Sequence, residues 1–250
     1  MTDRAKFISN VTASLGRSTV LVPSDESGAD STAMFEDAAT AKSRADRAMS
    51  YASARSAELT DRMANMAAIN GWKVHRAGNP EDAADLIADI SEQKGAKSVL
   101  RSTHEVLTQI GVDSAVTNTG ATLGVTEHSG SIDANKIEQA KSDAFAADIG
   151  ITGVDYAIAE TGTVVLHPRN GVSRLVSLAP PTHIAVLRPN QVLDSLTELF
   201  AMERNDYLSG DLAGSMNLIS GPSKTADIEG TTVTGIHGPL EVHLIILENG

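Results

Sequence analysis

Glu160 closes a short apolar run, Tyr156-Ala-Ile-Ala, and is followed at once by Thr161, Gly162 and Thr163. A carboxylate at a strand end, beside a glycine that lets the backbone turn sharply, is placed where α/β proteins expose reactive groups. Two readings fit it: an active carboxylate, or an acceptor of backbone N–H groups that pins its own turn. Further on, Ser220, Gly221, Ser223, Lys224, Thr225 and Asp227 share one loop. That loop offers an anion hydroxyls, backbone N–H groups and a lysine countercharge; it also suits a rigid turn in which Asp227 caps Lys224 or nearby backbone. His237 is held between Ile236 and Gly238-Pro239. It could polarise or deprotonate a bound hydroxy acid, or be an ordinary hydrogen-bonded histidine.

Charge is distributed unevenly around these loops. No Asp or Glu stands between Thr161 and Leu193, yet the segment holds Arg169, Arg174, Arg188, His167 and His183, in a chain with a formal net charge of -12. Arginine pairs bidentately with carboxylates, so the patch suits a small anion, with Arg174 beside the motif strands as its expected receiver. Arginines that are merely solvated, or paired with distant acids, are the competing reading.

Several chemistries are disfavoured by spacing. A Walker A loop needs glycine immediately before its lysine and another six residues before it, where Ser223 and Leu218 stand. Thr117 to Gly124 is a small polar loop without GxGxxG, so a dinucleotide site is poorly supported. Glu241 and His243 share a strand face and with His237 make a conceivable metal set, but no HExxH or comparable spacing supports it, and no bound metal is expected. The chain has no cysteine, hence no thiol nucleophile and no ligands for an ordinary cysteine-bound cluster.

The ordered set of motifs AETGT, SLAPPTHIAVL, SGPSKTADIE and GIHGPLEVHLIIL resembles the LUD domain of the lactate-utilization protein C family, from about Gly71 to the C-terminus. The resemblance implies a fold similar to the sugar-isomerase and CoA-transferase superfamily. It also implies a role in an iron-sulfur-dependent system that oxidises L-lactate to pyruvate. With no cysteine here, the clusters are expected on partner subunits and no cofactor on this chain. Two other readings stand beside it: an independent CoA-transferase-like or isomerase-like enzyme using Glu160, and a non-catalytic assembly factor.

Such loops need a scaffold. The 250 residues allow one large α/β domain with an extension, or two small domains, and aromatic content of 3% makes the core mostly aliphatic. Net negative charge disfavours nucleic acid and anionic membrane surfaces as partners. No apolar run of signal-peptide or membrane-spanning length is evident, so a cytoplasmic protein is expected.

Residues 1–70 read as a tail with a short helix from Lys6 to Leu15, a linker from Gly16 to Ser31, and one long helix or two nearly continuous ones from Thr32 to Asn70, capped by Gly71. Within the helix Ala45, Met49, Ala52, Ser56, Leu59, Met63 and Met66 form a seam. Packing on its own domain is the favoured use of that seam, and a homo-oligomer stays open.

From residue 71 to 250 the pattern alternates: strands at Lys73 to Ala77, Ser98 to Ser102, Asp155 to Ala159, Thr163 to His167, His183 to Leu187 and Leu240 to Leu247; helices at Pro80 to Gln93, His104 to Ile110, Ile137 to Asp148 and Pro189 to Asn205. Short strands separated by helices predict a mostly parallel sheet flanked by helices.

If Glu160 is an acyl acceptor, incubation with acyl-CoA should leave a hydroxylamine-sensitive adduct absent from Glu160→Gln. The lactate reading expects no adduct by mass spectrometry, and a Glu160-dependent one reverses the ranking.

Overall fold

A computed structural model describes residues 36–126, 134–226 and 232–249. The expected helix at Lys6 to Leu15, the linker after it and Asp227 lie outside the described residues.

The strand and helix alternation becomes a six-stranded sheet in the order β1-β12-β7-β4-β2-β3, every pairing parallel. Its strands are β1 (Lys73–Ala77), β2 (Ser98–Arg101), β3 (Thr122–Val125), β4 (Ile149–Gly153), β7 (Thr182–Leu187) and β12 (Glu241–Leu247). A second sheet, β8-β5-β6-β9, joins β5 (Tyr156–Ile158), β6 (Thr163–Leu166), β8 (Val192–Leu193) and β9 (Asn217–Ile219). A hairpin pairs β10 (Lys224–Ala226) with β11 (Thr232–Thr234). The fold is α/β, with a mostly parallel sheet flanked by helices.

Period-two side-chain alternation divides the core. From β12, Val242, Leu244 and Ile246 join one cluster with α1 (Ala38–Ala54), α2 (Ser56–Asn70) and the second sheet. Ile245 and Leu247 face the other way, against α3 (Pro80–Gln93), α4 (Glu105–Gln109) and α5 (Val112–Asn118). The remaining helices are α6 (Ala134–Ala146), α7 (Leu175–Leu178) and α8 (Leu196–Ser209).

The stretch before Gly71 is two helices, broken at Arg55, and Gly71 caps the second with φ 99°. The break has no glycine or proline. Arg55 is instead drawn to Asp194 at 2.9 Å and Glu58 at 2.5 Å. Ala45, Ala52, Leu59 and Met63 of the seam are buried within this chain.

Two expectations are corrected, and one strand was not anticipated. The helix expected from Pro189 starts only at Leu196, because Pro189–Gln191 is a 3-10 turn, Val192–Leu193 pairs with β5, and Ser195 and Glu198 form the capping box that begins the helix. The segment read as a loop from Thr117 to Gly124 holds the end of α5 and most of β3, an edge strand stabilised by pairing with β2. The central strand β4 escaped notice because Gly150 and Gly153 dilute its apolar pattern.

Those glycines answer packing. A Cβ on Gly150 would stand 1.8 Å from the Val176 carbonyl oxygen, and one on Gly153 would stand 2.6 Å from the His104 Cβ. Backbone cannot yield as a flexible side chain does. Gly150→Ala should therefore cost about 3 kcal/mol or more, whereas Gly95→Ala, with nothing within 4 Å but φ 58°, should cost only about 1 kcal/mol. Urea denaturation of both variants checks this; equal losses would refute the close approach of α7 to β4.

Candidate functional site

β2 and β4 are neighbours whose onward connections leave on opposite faces of the sheet. β2 continues through α4 and α5 on the α3 side, while β4 continues through β5, β6 and α7 on the other. The crevice beyond their carboxyl ends is thus a topological switch point, where open α/β sheets bind ligands. A cavity of about 480 Å³ opens there, lined by Thr103 and His104 after β2, Val154 and Asp155 after β4, and Arg188 after β7, with His167, Arg169, Gln191 and the carboxylates Glu105, Glu203, Asp206 and Asp211 closing it.

Ionisable groups fill this cleft in an alternating chain. His104 Nδ1 lies 2.6 Å from Ser102 Oγ, and its buried Nε2, without a hydrogen-bond partner, lies 3.8 Å from Asp155 Oδ1. Asp155 accepts the His167 backbone N–H at 2.7 Å, faces His167 Nδ1 at 3.3 Å and receives Arg169 at 2.9 Å. The far side of the His167 ring meets Glu203 at 2.7 Å. Gln191 donates to the Val154 carbonyl at 2.6 Å and accepts the Arg188 backbone N–H at 2.8 Å, tying β4 to β7.

Environment separates the titrations. Burial pushes His104 down to about 4, so it is a neutral imidazole at physiological pH. Burial also raises Asp155, but hydrogen bonds from His167 and Arg169 outweigh it and hold the carboxyl well below its ordinary range. The hydrogen bond to Asp155, helped by Glu203, raises His167 and favours its cation. A neutral, partly unsatisfied imidazole beside a charged pair can exchange a proton with a ligand hydroxyl. Arg188 is the cleft's free cation: its guanidinium meets only the neutral Gln109 side chain among the described residues.

The motif residues fall elsewhere. Thr161 Oγ1, Thr163 Oγ1 and Ser220 Oγ form a hydroxyl chain at 2.7 and 2.8 Å, and Asn70 donates to the Thr161 carbonyl at 2.7 Å. Gly162 turns at φ 61° against the α2 backbone at Ala67, and Gly221 packs on the Asn70 carbonyl. Lys224 reaches the Asn70 carbonyl at 3.5 Å, while Thr225 sits in β10 paired with Val233. Ser223 Oγ accepts the His237 backbone N–H at 3.2 Å, and Gly238 lies against Ser223.

These groups gather at the amino ends of β1, β7 and β12, opposite the switch-point cleft. Glu160 is exposed and lines none of the cavities described here; its backbone N–H donates to the Asp194 carbonyl at 2.9 Å. Arg174 and His237 line two adjoining cavities that share Phe145, Leu175 and Leu178. Glu241 is taken up by Lys73, Lys94 and His243, and His243 stacks on His75. Among the described residues no group of three or more metal-ligating side chains could hold an ion.

Sequence reasoning flagged His167, Arg169 and Arg188 as part of the acid-free segment but missed His104, Asp155 and Glu203. The signal for Asp155 was its place just after β4, a strand that went unread.

Since native His104 binds its proton more weakly than the unfolded chain does, its contribution to stability is complete above about pH 6.5 and is lost as pH falls towards 4. The loss is on the order of 3 kcal/mol. His183, buried with Nε2 2.9 Å from Thr152 Oγ1, acts in the same direction down to about 3. Unfolding free energies of wild type and His104→Gln at pH 7 and 4 should show a shallower fall in the variant; parallel falls would mean that His104 is not held neutral.

The LUD domain family model matches residues 60–247, which include every strand and the whole cleft. Lactate utilization protein C of Shouchella clausii (strain KSM-K16) is 35% identical over 178 residues, covering 71% of this chain and 73% of that protein. Lactate utilization protein C 1 of Bacillus mycoides (strain KBAB4) is 32% identical over 170 residues, covering 68% and 70%. The crystal structure of a DUF162 family protein from Deinococcus radiodurans at 1.70 Å resolution superposes with a TM-score of 0.48 at 20% identity, covering 77% of this chain and 98% of that one. By the family match and the two lactate utilization proteins, the chain belongs to the LUD domain family.

Proposed function

We propose that this chain serves lactate utilization and receives a small carboxylate, L-lactate or pyruvate, in the cleft beyond β2, β4 and β7. Relatives sharing about a third of their residues carry lactate utilization in their names, which supports the process. The observation that carries the location is the pairing, in one cavity, of a guanidinium without an acidic partner, Arg188, and a buried neutral imidazole with an unpaired nitrogen, His104. Arg188 suits the carboxylate and His104 the adjacent hydroxyl or keto oxygen.

With no cysteine, this chain lacks ligands for an ordinary iron-sulfur cluster. In this reading such clusters sit on partner subunits in the cytoplasm, and this chain binds and orients the acid. Among the described residues no helix is long and apolar enough to cross a membrane.

Titration calorimetry with L-lactate and pyruvate tests the site. Arg188→Ala should weaken binding tenfold or more, about 1–3 kcal/mol for a charged hydrogen bond. A larger loss in Arg174→Ala would move the carboxylate to the cavity beside α6. Absence of binding by wild type would favour an assembly role.

A further inference from the structure

Beside the switch-point cleft, and separate from the lactate reading, a larger cavity of about 760 Å³ lies between α6 and the segment leading into α7. Its described lining holds three cations, Lys141, Arg169 and Arg174, and no carboxylate. In a chain carrying 32 acids against 20 bases, that is a reversal of the prevailing sign. Lys141 meets Glu138 at 3.3 Å and Arg169 meets Asp155, so both are already partnered. The Arg174 backbone carbonyl accepts from Ser177, but its guanidinium has no hydrogen-bonded or acidic partner among the described residues, which leaves five N–H donors available.

Beyond the cations the wall combines the neutral polar Thr126, Asn170 and Ser173 with an apolar side formed by Phe145, Leu175 and Leu178. Phe145 is 71% exposed and Leu178 41%, and both, with Leu175, continue into an adjoining cavity of about 330 Å³ that ends at Ile236 and His237. Large apolar side chains left open to solvent in one continuous groove mark a binding surface. Solvation alone explains an exposed arginine on a polar face; it does not explain one placed at the head of an apolar groove from which acids are missing.

We infer that this groove binds an organic anion with an apolar body, its carboxylate or phosphate head on Arg174 and its body along Phe145, Leu175 and Leu178. L-lactate and pyruvate are too small to span it, which separates this ligand class from the acid of the switch-point cleft. The bidentate fork of arginine accepts either head, and the exposed Phe145 ring accepts an aliphatic or aromatic body.

The full chain with the anionic aromatic fluorophore 8-anilinonaphthalene-1-sulfonate provides the test. One saturable site per chain is expected, weakened tenfold or more in Arg174→Gln and in Phe145→Ser, with thermal midpoints unchanged because both side chains are exposed. Arg188→Ala should retain it, which keeps this result distinct from failure of the lactate site. Displacement by octanoate assigns a carboxylate head with an aliphatic body, and displacement by adenosine monophosphate a phosphate head with an aromatic one. Undiminished binding in Arg174→Gln, multiple unsaturable sites, or displacement by neither competitor would overturn the inference.

Discussion

A carboxylate placed just beyond a parallel sheet, with only 17% of its side chain exposed, must be compensated, and Asp155 is that group. Removing its partners would leave a buried charge unpaired, which is far costlier than the net value of the pair. The compensation comes from His167 and Arg169, which fixes the path of the chain after β6. That path puts the Gly171 carbonyl where the Thr103 backbone N–H donates at 2.9 Å and Thr126 Oγ1 at 2.6 Å. The ends of β2, β3 and β4 are thereby held by one segment. The switch-point cleft and the groove beside α6 are its two sides, sharing Arg169 and Val172.

A second constraint is the shortage of large rings. With 3% aromatic residues the layers cannot be filled by a few bulky anchors, so they approach closely at small ones. Gly150 admits the Val176 carbonyl, Gly153 admits His104, and Gly162 admits the α2 backbone. The second of these brings His104 under the cleft, so tight packing of a glycine strand and desolvation of the imidazole are one event. Asp194 adds a polar counterpart on the helical side, where Arg55 and Arg62 hold α2 to the chain after β8.

The polar loops that stand out in the sequence, Ser220 to Thr225 and His237-Gly238, lie at the amino end of the sheet. The ionisable cluster lies at the carboxyl end. Their hydroxyls are mutually satisfied, from Thr161 through Thr163 to Ser220, and they brace α2, β6 and the start of β12 against one another. A loop that precedes a strand must stand at that strand's amino end, so the direction was readable for His237. Which end carries the cleft was not.

Local signals determined much of the fold. Asn79-Pro80 started α3, Gly71 stopped α2, and predominantly apolar runs marked β7 and β12, because caps and periodicity act within a few residues. The absence of cysteine and the acid-free stretch from Thr161 to Leu193 were also complete in the sequence. What tertiary structure alone decided is pairing at long range. β4 reads as a strand only once β2 and β7 flank it, and Asp155 gains its meaning only when residues twelve and more positions away supply its cations. Burial sets the imidazole of His104, and burial belongs to neighbours that no local pattern names.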